Sequence, residues 1–134
     1  MEQGVLTDKI IGCAFRVHGA LGSGFLESVY QKALAHELSK NGLKVESQKS
    51  ISVRYDGVEV GLFVADLLIE NSVLVENKAV QALVKAHEVQ LVNDLTATGI
   101  EVGLLLNFGS HRLEIKRKTR TYVLKTEPAH LLRL

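Results

Sequence analysis

Three residues in the middle of the chain could do chemistry together: Asp66, Glu76 and Lys78. Asp66 interrupts an apolar run, Val64-Ala65-Asp66-Leu67-Leu68-Ile69, and Glu76 and Lys78 lie two apart in a second one, Val73-Leu74-Val75-Glu76-Asn77-Lys78-Ala79. Side chains alternate along a strand, so Glu76 and Lys78 project to one face. If Glu70-Asn71-Ser72 is a three-residue hairpin loop, the two positions of each pair sum to 142, which sets Asp66 opposite Glu76. Opposed side chains in such a pair have Cβ atoms only about 4.5–5.5 Å apart. Two carboxylates that close repel unless a cation compensates, and Lys78 neutralises only one of them. Two carboxylates, the backbone carbonyl of Asn77 and water form a hard oxygen set suited to Mg²⁺ or Mn²⁺. A lysine beside them can orient a water or stabilise charge developing on a phosphate. The spacing therefore points towards phosphodiester chemistry. An aspartate some ten residues before a Glu-x-Lys is common in arbitrary sequence, and an exposed Glu-x-Lys is usually a solvated face. The apolar flanks distinguish this one, because internal acids are rare unless paired or metal-bound.

The elements that must position these residues follow from periodicity. Ile10, Ile11, Ala14, Val17 and Leu21 predict a helix over 7–21 with Thr7 as its cap. Gly22-Ser23-Gly24 breaks it. Leu26, Val29, Ala33, Leu34 and Leu38 predict a second helix over 25–41, stopped at Asn41-Gly42. Residues 43–55, 58–69 and 73–79 read as three antiparallel strands, the first two joined at Asp56-Gly57. A third helix is expected over 82–98, ending at Gly99. Residues 101–108 form a nearly continuous apolar run, the pattern of a central strand buried on both faces. Residues 111–123 read as a basic outer strand. This order implies a mixed sheet flanked by helices, with the strand after the third helix parallel to one meander strand.

The length of 134 residues fits one domain over 1–134, with 126–134 as a loose C-terminal tail. One cysteine, Cys13, excludes an intramolecular disulfide and reads as a buried structural thiol. The start has no secretory pattern, and no apolar run approaches the ~20 residues of a membrane helix, so a cytoplasmic protein is expected. A net charge of +1 and an aromatic fraction of 5% exclude a broad basic footprint or a base-stacking platform. Any nucleic-acid surface must be local.

A family likeness is carried by Gly24-Phe25-Leu26-Glu27-Ser28-Val29-Tyr30, Asp66-Leu67-Leu68, Glu76-Asn77-Lys78-Ala79-Val80 and Gly103-Leu104-Leu105-Leu106-Asn107-Phe108-Gly109. Together, over roughly residues 7 to 118, they resemble the GxxExxY proteins of the PD-(D/E)xK nuclease superfamily. The resemblance implies a restriction-endonuclease-like αβββαβ core and a metal-dependent nuclease. It implies Asp66 and Glu76 as metal ligands, Lys78 as the catalytic lysine, and Glu27 and Gln90 as further catalytic residues. The implied partner is nucleic acid, DNA ahead of RNA, with a homo-oligomer or a partner protein also compatible. The rival class is a non-catalytic binding or assembly module that keeps the fold. Asn77 stands where an apolar residue is usual, Val64 where an arginine is expected, and Asp94 where a tyrosine often follows the glutamine.

Several candidates lie outside the central trio. Glu27 shares a helix face with Tyr30 and Leu34, so Glu27 could reach the site and Tyr30 could line it. Alternatively, with Gly24 as N-cap, Glu27 is a local capping residue. His87 lies three residues before Gln90 on one helical face and could line the site too. Arg112, Lys116 and Lys118 on the basic strand could contact phosphates, or could simply protect a sheet edge. The glycines of 19–24 superficially resemble a phosphate loop, but they lie between two helices with no Lys-Ser/Thr following, so a plain turn is expected.

Overall fold

A computed structural model of the chain describes residues 1–121. The elements are α1 (Gln3–Leu21), α2 (Glu27–Lys40), β1 (Val45–Tyr55), β2 (Val58–Ile69), β3 (Val73–Lys78), α3 (Lys85–Thr98), β4 (Val102–Asn107) and β5 (Glu114–Thr119). The five strands form one sheet in the order β1-β2-β3-β4-β5, with β3 and β4 parallel and the other neighbours antiparallel. The expected mixed sheet, flanked by helices, is the architecture found. Helix α3 is the crossover that a parallel β3–β4 pair requires. Every residue of β4 is buried, as its unbroken apolar run demands. The expected tail at 126–134 lies outside the described residues.

All three helix starts differ from expectation, α3 beginning at Lys85 rather than at 82. α1 begins four residues before Thr7, whose hydroxyl instead donates to the Gly4 carbonyl at 3.0 Å. The turn that precedes Thr7 is drawn into the helix by Leu6, which is fully buried. α2 begins at Glu27 with Leu26 as its N-cap, not Gly24. Gly24 has φ +112°, outside helical space, so the turn runs on past it.

The core has two parts, one on each face of the sheet. Leu6, Ile10 and Val17 of α1 and Leu34 and Leu38 of α2 pack over Leu67, Val75 and Leu104. Leu91 and Leu95 of α3 pack over Ala65, Leu74 and Leu105 on the opposite face. Gly103 lets α3 approach: a Cβ there would stand 2.9 Å from Leu91 Cδ1. Leu74 and Leu105 fix which face is which, so Glu76 and Lys78, in step with Leu74, point to the α3 side.

One irregularity shapes the sheet's upper end. The pairing of β2 with β3 runs from Ile69↔Val73 to Leu67↔Val75 and stops there. Ala65 and Leu67 have the same parity, yet they pack into opposite clusters. The strand therefore turns over between them, at Asp66. Its facing residue is Gln48, between the Ser47↔Leu67 and Lys49↔Ala65 pairs, and Gln48 carries φ +51°. Beyond this kink β1 and β2 pair only with each other, the ribbon's root resting on α3 through Ile51, Phe63 and Ala65.

Candidate active site

The observed β2–β3 pairs each sum to 142, so the register expected from the loop is the one present. Past Leu67 the strands splay, and the Asp66 side chain spans the gap. Its Oδ2 accepts the Asn77 backbone N–H at 2.8 Å, taking the place of a ladder partner. Lys78 O, one residue on, accepts from Phe108 N on the β4 side. Backbone groups alternate along a strand, so the Asn77 carbonyl faces the same gap as its N–H, beside Asp66 and Glu76.

Glu76 is half-buried, and its Oε1 is inaccessible and without a hydrogen-bond partner. Burial, reinforced by the Asp66 and Asp94 charges and opposed by Lys78, pushes its carboxyl up to about 8. Burial also raises the Asp94 carboxyl, while a bond from Gln90 and the Lys78 charge hold it down. Glu27, at the first turn of α2, is raised by partial burial and by Asp66, and lowered by Lys78. Glu27, Glu76 and Asp94 thus all feel the Lys78 charge, and no carboxylate of the described residues lies within ion-pair distance of Lys78.

A cavity of about 70 Å³ is lined by Glu76, Lys78, His87, Gln90 and Asp94 over a floor of Leu91 and Leu105. His87, Gln90, Leu91 and Asp94 share one face of α3, which explains their convergence. Gln90 Nε2 donates to Asp94 Oδ1 at 2.8 Å. His87 exchanges bonds with the start of its helix, donating its N–H to Val84 O at 3.0 Å and accepting the Val84 N–H on Nδ1 at 3.1 Å.

The sequence-predicted residues fall into three groups. Asp66, Glu76, Asn77 carbonyl and Lys78 come together, with Glu27 close enough for its charge to be coupled to Asp66 and Lys78. As the first residue of α2, Glu27 is not the N3 capping residue, so the local capping reading fails. Gln90 and His87 line the adjoining cavity. Tyr30 does not line the site. It is fully buried and stacked on Phe108 at 4.9 Å, with its hydroxyl donating to Gly22 O and accepting from Phe25 N at 3.2 Å. An aromatic in the α2 stripe went to the core, where it locks the α1–α2 turn; that turn is the plain connection expected of 19–24. Asp94 is the residue that sequence reasoning missed. Its signal was its position four residues after Gln90, one helical turn along the same face.

The basic strand is shorter than 111–123 as far as it is described: β5 is Glu114–Thr119, paired only with β4 at the sheet's edge. Lys118 pairs with Glu88 of α3 at 2.7 Å, and Lys116 is exposed. Arg112 precedes the strand and is exposed.

Could this arrangement hold a divalent cation? The donor set fits: two adjacent carboxylates, one oxygen of which is buried without a partner, and a carbonyl facing the same gap. No group of three His, Cys, Asp or Glu side chains among the described residues is placed to hold an ion, so the carbonyl and water would complete the shell.

Known proteins place the fold. No curated protein matches the chain. A crystal structure of SSO0001 is similar with a TM-score of 0.56 and 19% identity, over 79% of this chain and 54% of that one. The match thus spans about half of the SSO0001 chain and carries the fold alone. A family model of the PD-(D/E)XK nuclease superfamily matches residues 4–118, across both helices before the meander, the acidic strands, the crossover helix and the edge strand. With its fold, its splayed Asp66–Glu76 pair and that match, the chain belongs to the PD-(D/E)XK nuclease superfamily.

Proposed function

We propose that this protein is a divalent-cation-dependent hydrolase of nucleic-acid phosphodiester bonds, with DNA ahead of RNA as substrate. The observation that carries it is the splay at Asp66 and Glu76: two carboxylates meet there, one keeps a buried unpaired oxygen, and an ammonium stands by without an ion-pair partner. Asp66, Glu76 and the Asn77 carbonyl would hold Mg²⁺ or Mn²⁺, which when bound polarises a phosphate and acidifies water. Asp66 is pinned by the Asn77 N–H, so it needs no reordering to present its other oxygen. Lys78, on the same face as Glu76, is placed to steady the phosphate or the attacking water. Gln90, oriented by Asp94, keeps its carbonyl available as an acceptor at the cavity. Glu27 at the rim would act through water, and His87 closes the far wall.

The alternative, a binding module that retains the fold without catalysis, draws on one observation: among the described residues no three His, Cys, Asp or Glu side chains are grouped to hold an ion. One assay separates the two. Labelled single- and double-stranded DNA and RNA are incubated with the native protein and with Lys78→Ala and Asp66→Ala variants, in Mn²⁺, Mg²⁺ or EDTA. Cleavage is expected with either metal and none in EDTA. Lys78→Ala should lose at least about 100-fold in rate while its Mn²⁺ affinity by calorimetry stays near native. Asp66→Ala should lose both. Undiminished cleavage by Lys78→Ala, or equal Mn²⁺ affinity in native protein and Asp66→Ala, would sink the assignment.

A further inference from the structure

The ribbon formed by β1 and β2 beyond the kink has no role in the site. From Val58 to Asp66, β2 pairs with β1 alone, because its pairing with β3 ends at Leu67. Ala65 is buried, and Phe63 and Ile51 pack against the α3 cluster, so the part clear of α3 is residues 58–62 with their β1 partners, an arm about 17 Å long at ~3.3 Å per residue. A two-stranded hairpin alone is marginal in water. This one exposes Tyr55 (75%), Val58 (62%), Val60 (61%), Leu62 (64%) and Val64 (48%).

These side chains do not share one face. The pairing steps from Val53↔Gly61 to Arg54↔Glu59, so Val60 is an extra residue in a bulge. Ser52 Oγ donates to Glu59 Oε1 at 2.9 Å, which puts Glu59 on the face of Ser52 and its partner Leu62. Val58 and Tyr55, one step on, therefore point the other way. Leu62 and Val64 lie on one face of the arm, Tyr55 and Val58 on the opposite one. An arm apolar on both faces needs to be enclosed rather than laid on a flat surface.

Its charges favour no oppositely charged partner: Lys49 and Arg54 balance Asp56 and Glu59. The chain itself carries the complement. Phe25, Leu26 and Val29 are exposed at the start of α2, and Val84 and Val89 at the start of α3. These two patches belong to helices on opposite faces of the sheet, so they offer two walls for a two-faced arm. Arm and patches together present on the order of 900 Å² of surface per copy, close to the ~800 Å² that a stable interface takes from each partner.

We propose that two copies of this chain exchange arms about a two-fold axis, each laying its Leu62/Val64 face on the α2 patch of the other and its Tyr55/Val58 face on the α3 patch. Both patches flank the acidic cluster, Leu26 next to Glu27 and Val84 three residues before His87, so each arm would border the other copy's site. The test is sedimentation velocity of the full chain across concentrations up to about 100 µM, a range that covers micromolar dissociation constants. A dimer is expected. Leu62→Glu and Leu26→Glu, each buried only on association, should weaken it at least about 100-fold while circular dichroism stays native. Mixing Leu62→Glu with Leu26→Lys should recover a heterodimer by charge pairing. A native chain that stays monomeric, or a dimer untouched by both substitutions, would overturn the proposal. A stable complex with some other protein and no self-association would overturn it as well.

Discussion

Two asparagines stand near the ends of the two parallel strands of this sheet, Asn77 next to last on β3 and Asn107 last on β4, and both are fully buried. Their surroundings are opposite. Asn107 uses both ends of its amide: Oδ1 accepts from Val80 N and Gly109 N, each at 3.0 Å, and Nδ2 donates to Val80 O at 2.9 Å and Glu114 Oε1 at 2.8 Å. Glu114 extends the network by accepting the Leu83 N–H at 3.0 Å. Neither Asn77 amide atom has a partner, and on the other face of the same strand Glu76 Oε1 has none either. A network this complete does structural work: it fastens the segment from Val80 to Leu83, which joins the Lys78 strand to the Gln90 helix. The end of β3 carries unmet polar demand instead, the usual mark of a place where function overrides stability. One strand end is the anchor and its neighbour is the tool.

The anchor should break hardest at Gly109. A Cβ there would fall 2.4 Å from Val80 N and 2.5 Å from the Ala79 carbonyl carbon, both backbone atoms that cannot step aside. Gly109→Ala is expected to cost at least about 3 kcal/mol in urea unfolding, because the Asn107 bonds are forced apart along with the clash. A loss below about 1 kcal/mol would mean that the 79–84 segment is loosely held and that the contrast between the two strand ends is wrong.

The tool end should respond in the opposite direction. Replacing Asn77 by Val removes two buried, unpaired amide groups from the α1/α2 side of the sheet while leaving the backbone carbonyl. We expect Asn77→Val to gain about 1–2 kcal/mol of stability, with Mn²⁺ affinity unchanged. A destabilised variant would show that the amide has a buried partner, such as water.

The contrast also explains what was legible beforehand. Helices, strands and the parallel crossover follow from apolar period alone, because burial dictates them. The register that brings Asp66 towards Glu76 follows from the length of one loop, but the splay that stops the pairing at Leu67↔Val75 does not. Tyr30, expected to line the site, is in the core, since an aromatic beside a glycine turn serves a core or a cleft equally well in sequence. Asp94 was visible only as a departure from a pattern, and its effect on Glu76 arises from strand and helix meeting in space. The Asn107 network was invisible for the same reason: its bonds reach back to Val80 and forward to Gly109, Ser110 and Glu114. The kink at Gln48, which turns β2 over, depends on a φ that no residue type there announces.

The smallest expected effect concerns a carboxylate paired as completely as Glu76 is not. Glu37 accepts from Arg16 at 2.9 Å, tying α2 to α1, with Lys40 at 3.6 Å and the Asn41 amide at 3.3 Å nearby. The Arg16 bond first, then the Lys40 charge, hold its carboxyl below the ordinary 4.5. A carboxyl lowered in the folded state favours folding above its unfolded value and loses that contribution as pH falls through its folded one. Glu76, raised by burial, has the opposite sign and favours folding less as pH rises. Glu37→Gln should therefore lower the melting temperature slightly at neutral pH, and the gap to native protein should close on acidification. Melting curves from about pH 7 to about pH 3, in chelator so that the acidic cluster binds no cation, read this directly. The pair is exposed on its Arg16 side, so raised salt should shrink the same gap. A gap that stayed constant across that range would mean that Glu37 contributes packing rather than charge, and the two carboxylates would no longer stand as opposites.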